Sequence, residues 1–376
     1  MKAEHRTFAE EHTEEAIELL QVLGRIPAPS HQEDKRAAFI KDWFVQAGVQ
    51  NVYIDDAKNV ICTFGLDRFQ DIALIQAHTD IVFLDTEELP MVRDGNILRA
   101  PGIGDDTANL VNLMICTRYF LAHAEELKTG VIIAADSCEE GLGNLDGTKA
   151  IFRAYGDRIK EFISLDGTPG WMVNRPVGSH RYAITVKAKG GHSYGDFGND
   201  NAIRIMAAII QDFYAQQLPE QAYTTYNAGV IEGGSTVNAI AQECTLLYEY
   251  RSENDECLAY MKQQMNEILD RHRKEGIRIE SRILGIRPGL GELDPDAQAR
   301  LEEDVKAVLK RHCTKDIQVT AGSTDANIPL SMGIPAVTVG TIEGEGAHTR
   351  EEWVDLTSIT GGLETVLDLM DRYFGL

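Results

Sequence analysis

The order of elements predicts an α/β protein: a core with a mixed, mostly parallel sheet, interrupted by a smaller α+β domain. Three observations carry that prediction. Apolar, β-branched runs such as IALIQA (72–77) and GVIIAAD (130–136) are nearly continuous, as in strands buried on both faces. They alternate with segments of helical spacing, the pattern of a parallel sheet wrapped by helices. From about residue 180 the texture changes to period-two alternation (RYAITVKAKGG), the mark of a half-exposed antiparallel strand.

Taken in order, residues 13–23 and 33–47 carry apolar side chains at helical spacing, the first with Thr13 as N-cap and the second closed by Gly48. Short strands are expected at 51–54, 59–64 and 72–77, a helix at 107–122, a strand at 130–136, a helix at 145–155 and a strand at 161–165. After the alternating strand near 180 come a helix at 201–217, the AGVIEGG stretch, a strand at 243–251, a helix at 255–274 and a strand near 278–284. This β-α-β-β-α-β order describes a two-layer domain over 179–288, inserted into a core built from 1–178 and 289–376. Helix 294–312, strand 336–340 and a closing helix at 356–373 return to the buried style of the core.

The 376 residues carry 36 Lys and Arg against 59 Asp and Glu, a net charge of −23. Such a surface excludes nucleic acid and anionic membrane as natural partners, because both need clustered cations. No window reaches the ~20 apolar residues of a membrane span, and the charged start MKAEHRTFAEEH does not read as a signal peptide. The six cysteines are widely spaced with no CxxC, so neither a disulfide frame nor a zinc knuckle is suggested, and a reduced cytoplasm is the expected home.

The chemistry lies in scattered acidic and imidazole residues, most of them where an apolar run hands the chain to a loop: His78 and Asp80 in AHTD, Asp105 in GIGDD, Glu139 and Glu140 in DSCEEG, Asp166 in SLDG, His192 in GGHS and His348 in GAHT. A carboxylate two residues after a histidine can hold one ring nitrogen while the other binds metal. Asp105 alone reads as an N-cap, and Glu139-Glu140 alone as a solvated acidic loop. Adjacent carboxylates at a strand end diverge, however, so one can bind a metal while the other faces a water and moves its proton. Together the set suits a two-zinc hydrolytic site.

In this order and spacing the residues resemble the M20 family of metallopeptidases and amidohydrolases. The likeness extends to GGHSYGDFGNDNAI (190–203), GGSTVNAI (233–240), YEYRS (248–252) and STDANIPLSMGIPAVTVG (323–340). It implies a phosphorylase/hydrolase-like zinc peptidase core and a ferredoxin-like inserted lid through which two chains dimerise. By the same resemblance Asp105 bridges two Zn2+ ions (Co2+ or Mn2+ being alternatives), one held also by Glu140 and His348, the other by His78 and Asp166. Asp80 orients His78, Glu139 is the general base and acid, and His192 polarises the scissile carbonyl. Asn238 and Arg251 match the pair that holds a substrate carboxylate, and a cis peptide bond follows Asp105. The family pattern DxKG is replaced here by Asp105-Asp106-Thr107-Ala108, and the segment after His192 lacks the usual prolines.

Within the family that the chain resembles, aspartate at the position of Asp166 is more usual in the aminopeptidase and dipeptidase-like branches, so the resemblance leans towards an exopeptidase of the aminopeptidase type acting on di- or tripeptides. The alternatives are hydrolysis of an N-acyl amino acid, a carboxypeptidase, and a non-catalytic relative that only binds metal.

Overall fold

Seven buried residues, Ile72–His78, form the strand around which the larger sheet is assembled. The structure, a computed structural model, describes residues 2–375. The chain divides into two units: one comprises the stretches ending at Pro176 and beginning at Gly291, the other spans Val177–Leu290.

In the first unit an eight-stranded sheet runs in the order Val52–Ile54, Val60–Phe64, Gly130–Asp136, Ile72–His78, Ile159–Leu165, Ala336–Val339, Trp171–Pro176, Gln318–Gly322. Its centre is parallel: Ile72–His78 pairs in parallel with both Gly130–Asp136 and Ile159–Leu165, and Ala336–Val339 pairs in parallel with Ile159–Leu165. One face packs on helices Ala3–Leu23, Ala108–Ala122, Pro295–His312 and Ile359–Met370, the other on Asp146–Tyr155 and Asn327–Ser331. Helix Ala108–Ala122 is buried almost all round, which explains why its sequence is apolar on every face.

The first helix begins at Ala3 rather than near residue 13. Thr13 lies inside it, its hydroxyl donating to the Ala9 carbonyl at 2.7 Å and lying 2.8 Å from Thr360 Oγ1. His5 and Ala9 supply the buried positions that extend the apolar stripe through a segment reading as merely charged. Sequence patterning also missed the short strands Trp171–Pro176 and Gln318–Gly322 and a small antiparallel sheet of Val92–Asp94, Ile97–Arg99, Gly344–Glu345 and Trp353–Asp355.

The second unit is a four-stranded antiparallel sheet in the order Thr224–Gly233, Glu243–Ser252, Gly178–Lys187, Arg278–Arg287, with a separate two-stranded ladder of Gly191–His192 and Ala239–Ile240. Helices Ala202–Ala215 and Asp255–His272 cover one face, burying Tyr182, Ile184 and Val186 with Leu246, Tyr248 and Tyr250. Both helices start on an asparagine cap: Asn201 accepts from the amides of Ile203 and Arg204, Asn254 from that of Cys257. No helix among the described residues is long and apolar enough to cross a membrane.

Candidate metal centre

Parallel strands end on the same edge of a sheet, and ligands in such sheets collect beyond those carboxyl ends. Ile72–His78 delivers His78 and, two residues on, Asp80 to that edge; Gly130–Asp136 delivers Glu139 and Glu140; Ile159–Leu165 delivers Asp166. Ala336–Val339 leads into the loop that carries His348. The remaining member, Asp105, precedes helix Ala108–Ala122, and the Asp105–Asp106 peptide bond is cis.

The two oxygens of Asp105 face different histidines. Oδ1 lies 3.0 Å from His78 Nε2, and Oδ2 lies 3.1 Å from His348 Nε2. His348 Nε2 is in turn 3.2 Å from Glu140 Oε1, a buried oxygen with no hydrogen-bonding partner of good geometry. Donor atoms of His78, Asp105 and Asp166 lie within 4.8 Å of one another, as do those of Asp105, Glu140 and His348, and those of His78, Glu139 and Glu140. Ligands at about 2.0–2.1 Å from a tetrahedral zinc stand roughly 3.3 Å apart. The 3.0–3.2 Å separations between the histidines, Asp105 and Glu140 are close to such polyhedron edges, and nitrogen with carboxylate oxygen is a donor set that zinc accepts. The site fits two divalent cations sharing Asp105.

Electrostatics follow from crowding. Burial raises Asp166, with Asp105 adding to the effect, to about 7. Burial also raises Glu140, with the His348 contact opposing. For Asp105 burial acts upward, but the His348 and His78 contacts outweigh it and hold the carboxyl well below its usual range. His348 rises to about 10 through its contacts with Asp105 and Glu140. A cluster in which carboxylates and imidazoles compete for protons is one that a doubly charged cation stabilises.

Asp80 lies beside His78 and also reaches the neighbouring loop. Its Oδ1 is 3.6 Å from His78 Nδ1, while the Asp80 carbonyl is nearer, at 3.1 Å. The Asp80 carboxylate accepts from the amides of Glu139 (2.9 Å) and Glu140 (3.0 Å) and from the Ser30 hydroxyl (2.6 Å). It thus fixes the turn that carries both glutamates.

Further residues of the site had escaped sequence reasoning. Asp106, buried, accepts from the His78 amide at 3.0 Å and from Asn109 Nδ2 at 2.7 Å. Glu352, also buried, accepts from the amides of Gly102, Gly104 and Asp105 at 2.7–2.9 Å. Burial raises it to about 7. Arg36, fully buried, donates to the Thr79 carbonyl at 2.8 Å and to Thr107 Oγ1 at 3.2 Å. The glycines of GIGD, free to present their amides to one carboxylate, were the readable signal for a partner such as Glu352.

His192, Asn238 and Arg251 belong to the second unit. His192 Nδ1 accepts from the amides of Tyr194 and Gly195, each at 3.2 Å, which leaves the ring proton on Nε2 as a donor. Asn238 is next to this turn, its carbonyl accepting from the Ser193 amide at 3.0 Å. Arg251 turns its fork onto Glu249, with Nε to Oε1 at 3.1 Å and Nη2 to Oε2 at 3.2 Å.

Residues 177–277 match the family model described as the M20 peptidase dimerisation domain. Over 354 residues the chain is 25% identical to succinyl-diaminopimelate desuccinylase of Corynebacterium glutamicum, covering 92% of this chain and 93% of that enzyme. Its fold is similar to a tripeptidase from Staphylococcus aureus, with a TM-score of 0.75, 20% identity and coverage of 96% and 98%. It is also similar to aminopeptidase PepT from Bacillus cereus, with a TM-score of 0.71, 21% identity and coverage of 96% and 98%.

Proposed function

We infer that this chain, a member of the M20 family of metallopeptidases and amidohydrolases, is an exopeptidase that hydrolyses a peptide bond of di- or tripeptides. The observation that carries the reading is the bridging posture of Asp105 between two histidines. His78, Asp105 and Asp166 would hold one divalent cation, and Asp105, Glu140 and His348 the other. Such cations supply Lewis acidity, making water acidic near neutral pH and polarising a carbonyl.

The chain's own residues do the rest. Glu139, held by its backbone amide on Asp80, accepts the proton of the attacking water and passes it to the departing nitrogen. His192 donates Nε2–H to the carbonyl oxygen as negative charge grows there, the role its tautomer suits. Asn238 and Arg251 receive the substrate carboxylate, Glu249 keeping the Arg251 guanidinium in a fixed plane. Two copies pair through the region matched as a dimerisation domain.

The aspartate at position 166 and the aminopeptidase and tripeptidase among the fold neighbours support the peptide substrate. A second reading, hydrolysis of an N-acyl amino acid, is favoured by the desuccinylase relative. To separate them, the protein is loaded with zinc, cobalt or manganese and offered short peptides beside N-acetyl and N-succinyl amino acids, with products read by mass spectrometry. Turnover confined to the acylated pool overturns the first reading; silence with every pool and metal overturns both. Glu139→Gln is expected to keep its metals and lose about 10²–10⁴-fold in kcat; a variant that stays active shows that the base lies elsewhere.

A further inference from the structure

Behind the strand ends the first unit encloses a group of oxygens that no protein donor satisfies. Asp136, the last residue of its strand, is fully buried, and neither carboxylate oxygen has a hydrogen-bond partner. Asp325, 1% exposed, accepts from the Thr148 hydroxyl at 2.7 Å through Oδ1, and its Oδ2 has no partner. Gln76, fully buried, donates Nε2 to the same Thr148 hydroxyl at 2.6 Å, leaving Oε1 unpartnered. Among the described residues no lysine, arginine or histidine forms an ion pair with Asp136 or Asp325. Burial, with the charge of Asp325 adding to it, pushes the Asp136 carboxyl well above its usual range.

Buried acceptors without donors are rare because each has surrendered its water for nothing. One proton shared by the two carboxyls satisfies a single oxygen of each and leaves the amide oxygen of Gln76 and the second oxygen of Asp136 alone. A divalent cation held among these residues would supply the positive charge that one proton leaves missing. The donors are carboxylate, amide and hydroxyl oxygens with no nitrogen or sulfur, a set that selects hard cations over zinc. Two carboxylates also match a double positive charge.

We propose that Asp136, Asp325, Gln76 and Thr148 form a binding site for one hard divalent cation of the calcium type, sharing no ligand with the histidine-containing centre beside it. The Asp136 carbonyl accepts from both the amide and the hydroxyl of Thr79, at 2.7 and 2.8 Å, so occupancy stiffens the strand ends from behind. The site does not depend on which substrate the protein takes.

The full-length protein, stripped of metal and reloaded with zinc, is titrated with calcium, and in parallel with magnesium and manganese. Bound metal is counted by elemental analysis after gel filtration. The expected result is one equivalent of calcium beyond the zinc, with a melting temperature raised by several degrees. Asp325→Asn and Gln76→Leu are each expected to keep the zinc and to lose both the calcium and the rise in melting temperature. The proposal is overturned if the wild type takes up none of the three ions beyond its zinc. It is equally overturned if both variants retain the ion, or if Asp325→Asn melts higher than the wild type with no response to any ion, which makes a shared proton the solution.

Discussion

At the scale of single residues, the centre depends on side chains that never reach it. Glu352 gathers three backbone amides of the loop that presents Asp105 and lies four residues after His348. It thereby fastens one candidate ligand loop to another. Replacing it by alanine leaves buried amides unpaired, and loss of such an outer partner costs about 10–100-fold in metal affinity. Calorimetric titration of zinc into Glu352→Ala checks this; affinity equal to the wild type means that the loop holds itself. Arg36 is a buried cation whose hydrogen-bond acceptors are all neutral: the carbonyls of Leu23, Ile26 and Thr79 and the Thr107 hydroxyl. Thr107 stands at the lysine position of the family's DxKG pattern, so Arg36 brings positive charge to a place where this chain lacks it. Arg36→Met is expected to cost about 3 kcal/mol of stability, through carbonyls left without donors. Denaturant unfolding of the metal-free protein reads this out, and a loss below about 1 kcal/mol means that the carbonyls find other partners.

At the scale of elements, four segments of the first unit meet in a partly buried relay: Asp371, His5, Asp368, His312 and Glu364 alternate acid and imidazole, with contacts of 3.3, 2.7, 2.9 and 3.5 Å. It ties helix Ala3–Leu23 to Pro295–His312 and Ile359–Met370. Burial opposes the charge on His5, but Asp368 and Asp371 outweigh it and raise its pKa from 6.5 to about 9. A folded-state pKa above the unfolded one contributes stability that is complete below pH ~6.5 and is lost as pH rises through about 9. The wild type is therefore expected to melt above His5→Gln by several degrees at pH 6, the gap closing by pH 10. A gap that stays constant over that range leaves the relay without an electrostatic role.

Elements were legible where burial leaves one kind of signal. IALIQA and GVIIAAD are buried on both faces, short and bounded by loop residues, which reads as central strands, so His78 at the end of one and Glu139-Glu140 just beyond the other could be placed on one edge. The charged start of the first helix was opaque because its buried positions are filled by His5 and Ala9 rather than by large apolar residues. Gln318–Gly322 escaped because an outer strand with no fully buried position has no apolar run to show. The partners Glu352 and Asp105 lie 247 residues apart, and local patterning carries no information over that distance.

At the scale of the whole molecule, net charge and sheet edges act on the same association. Strand Thr224–Gly233 is an outer strand of the second unit's sheet, with Val230 and Ile231 about half exposed and a bulge between Ala228 and Val230. An open edge with apolar side chains is a template for another strand, and lysine on such an edge is a common way of blocking it. Each chain brings a charge of −23, so pairing opposes a repulsion whose range is the Debye length, about 30 Å at 0.01 M salt and 8 Å at 0.15 M. The protein is expected to be a dimer at 0.15 M salt and to dissociate partly on dilution into 0.01 M. Val230→Lys with Ile231→Lys is expected to give monomers at either ionic strength without disturbing the first unit's uptake of added divalent metal. Sedimentation velocity distinguishes the states. Dimers that survive the double substitution place the contact on a surface other than this edge. Dimers insensitive to salt mean that the facing surfaces are neutralised locally, whatever the sum over the chain.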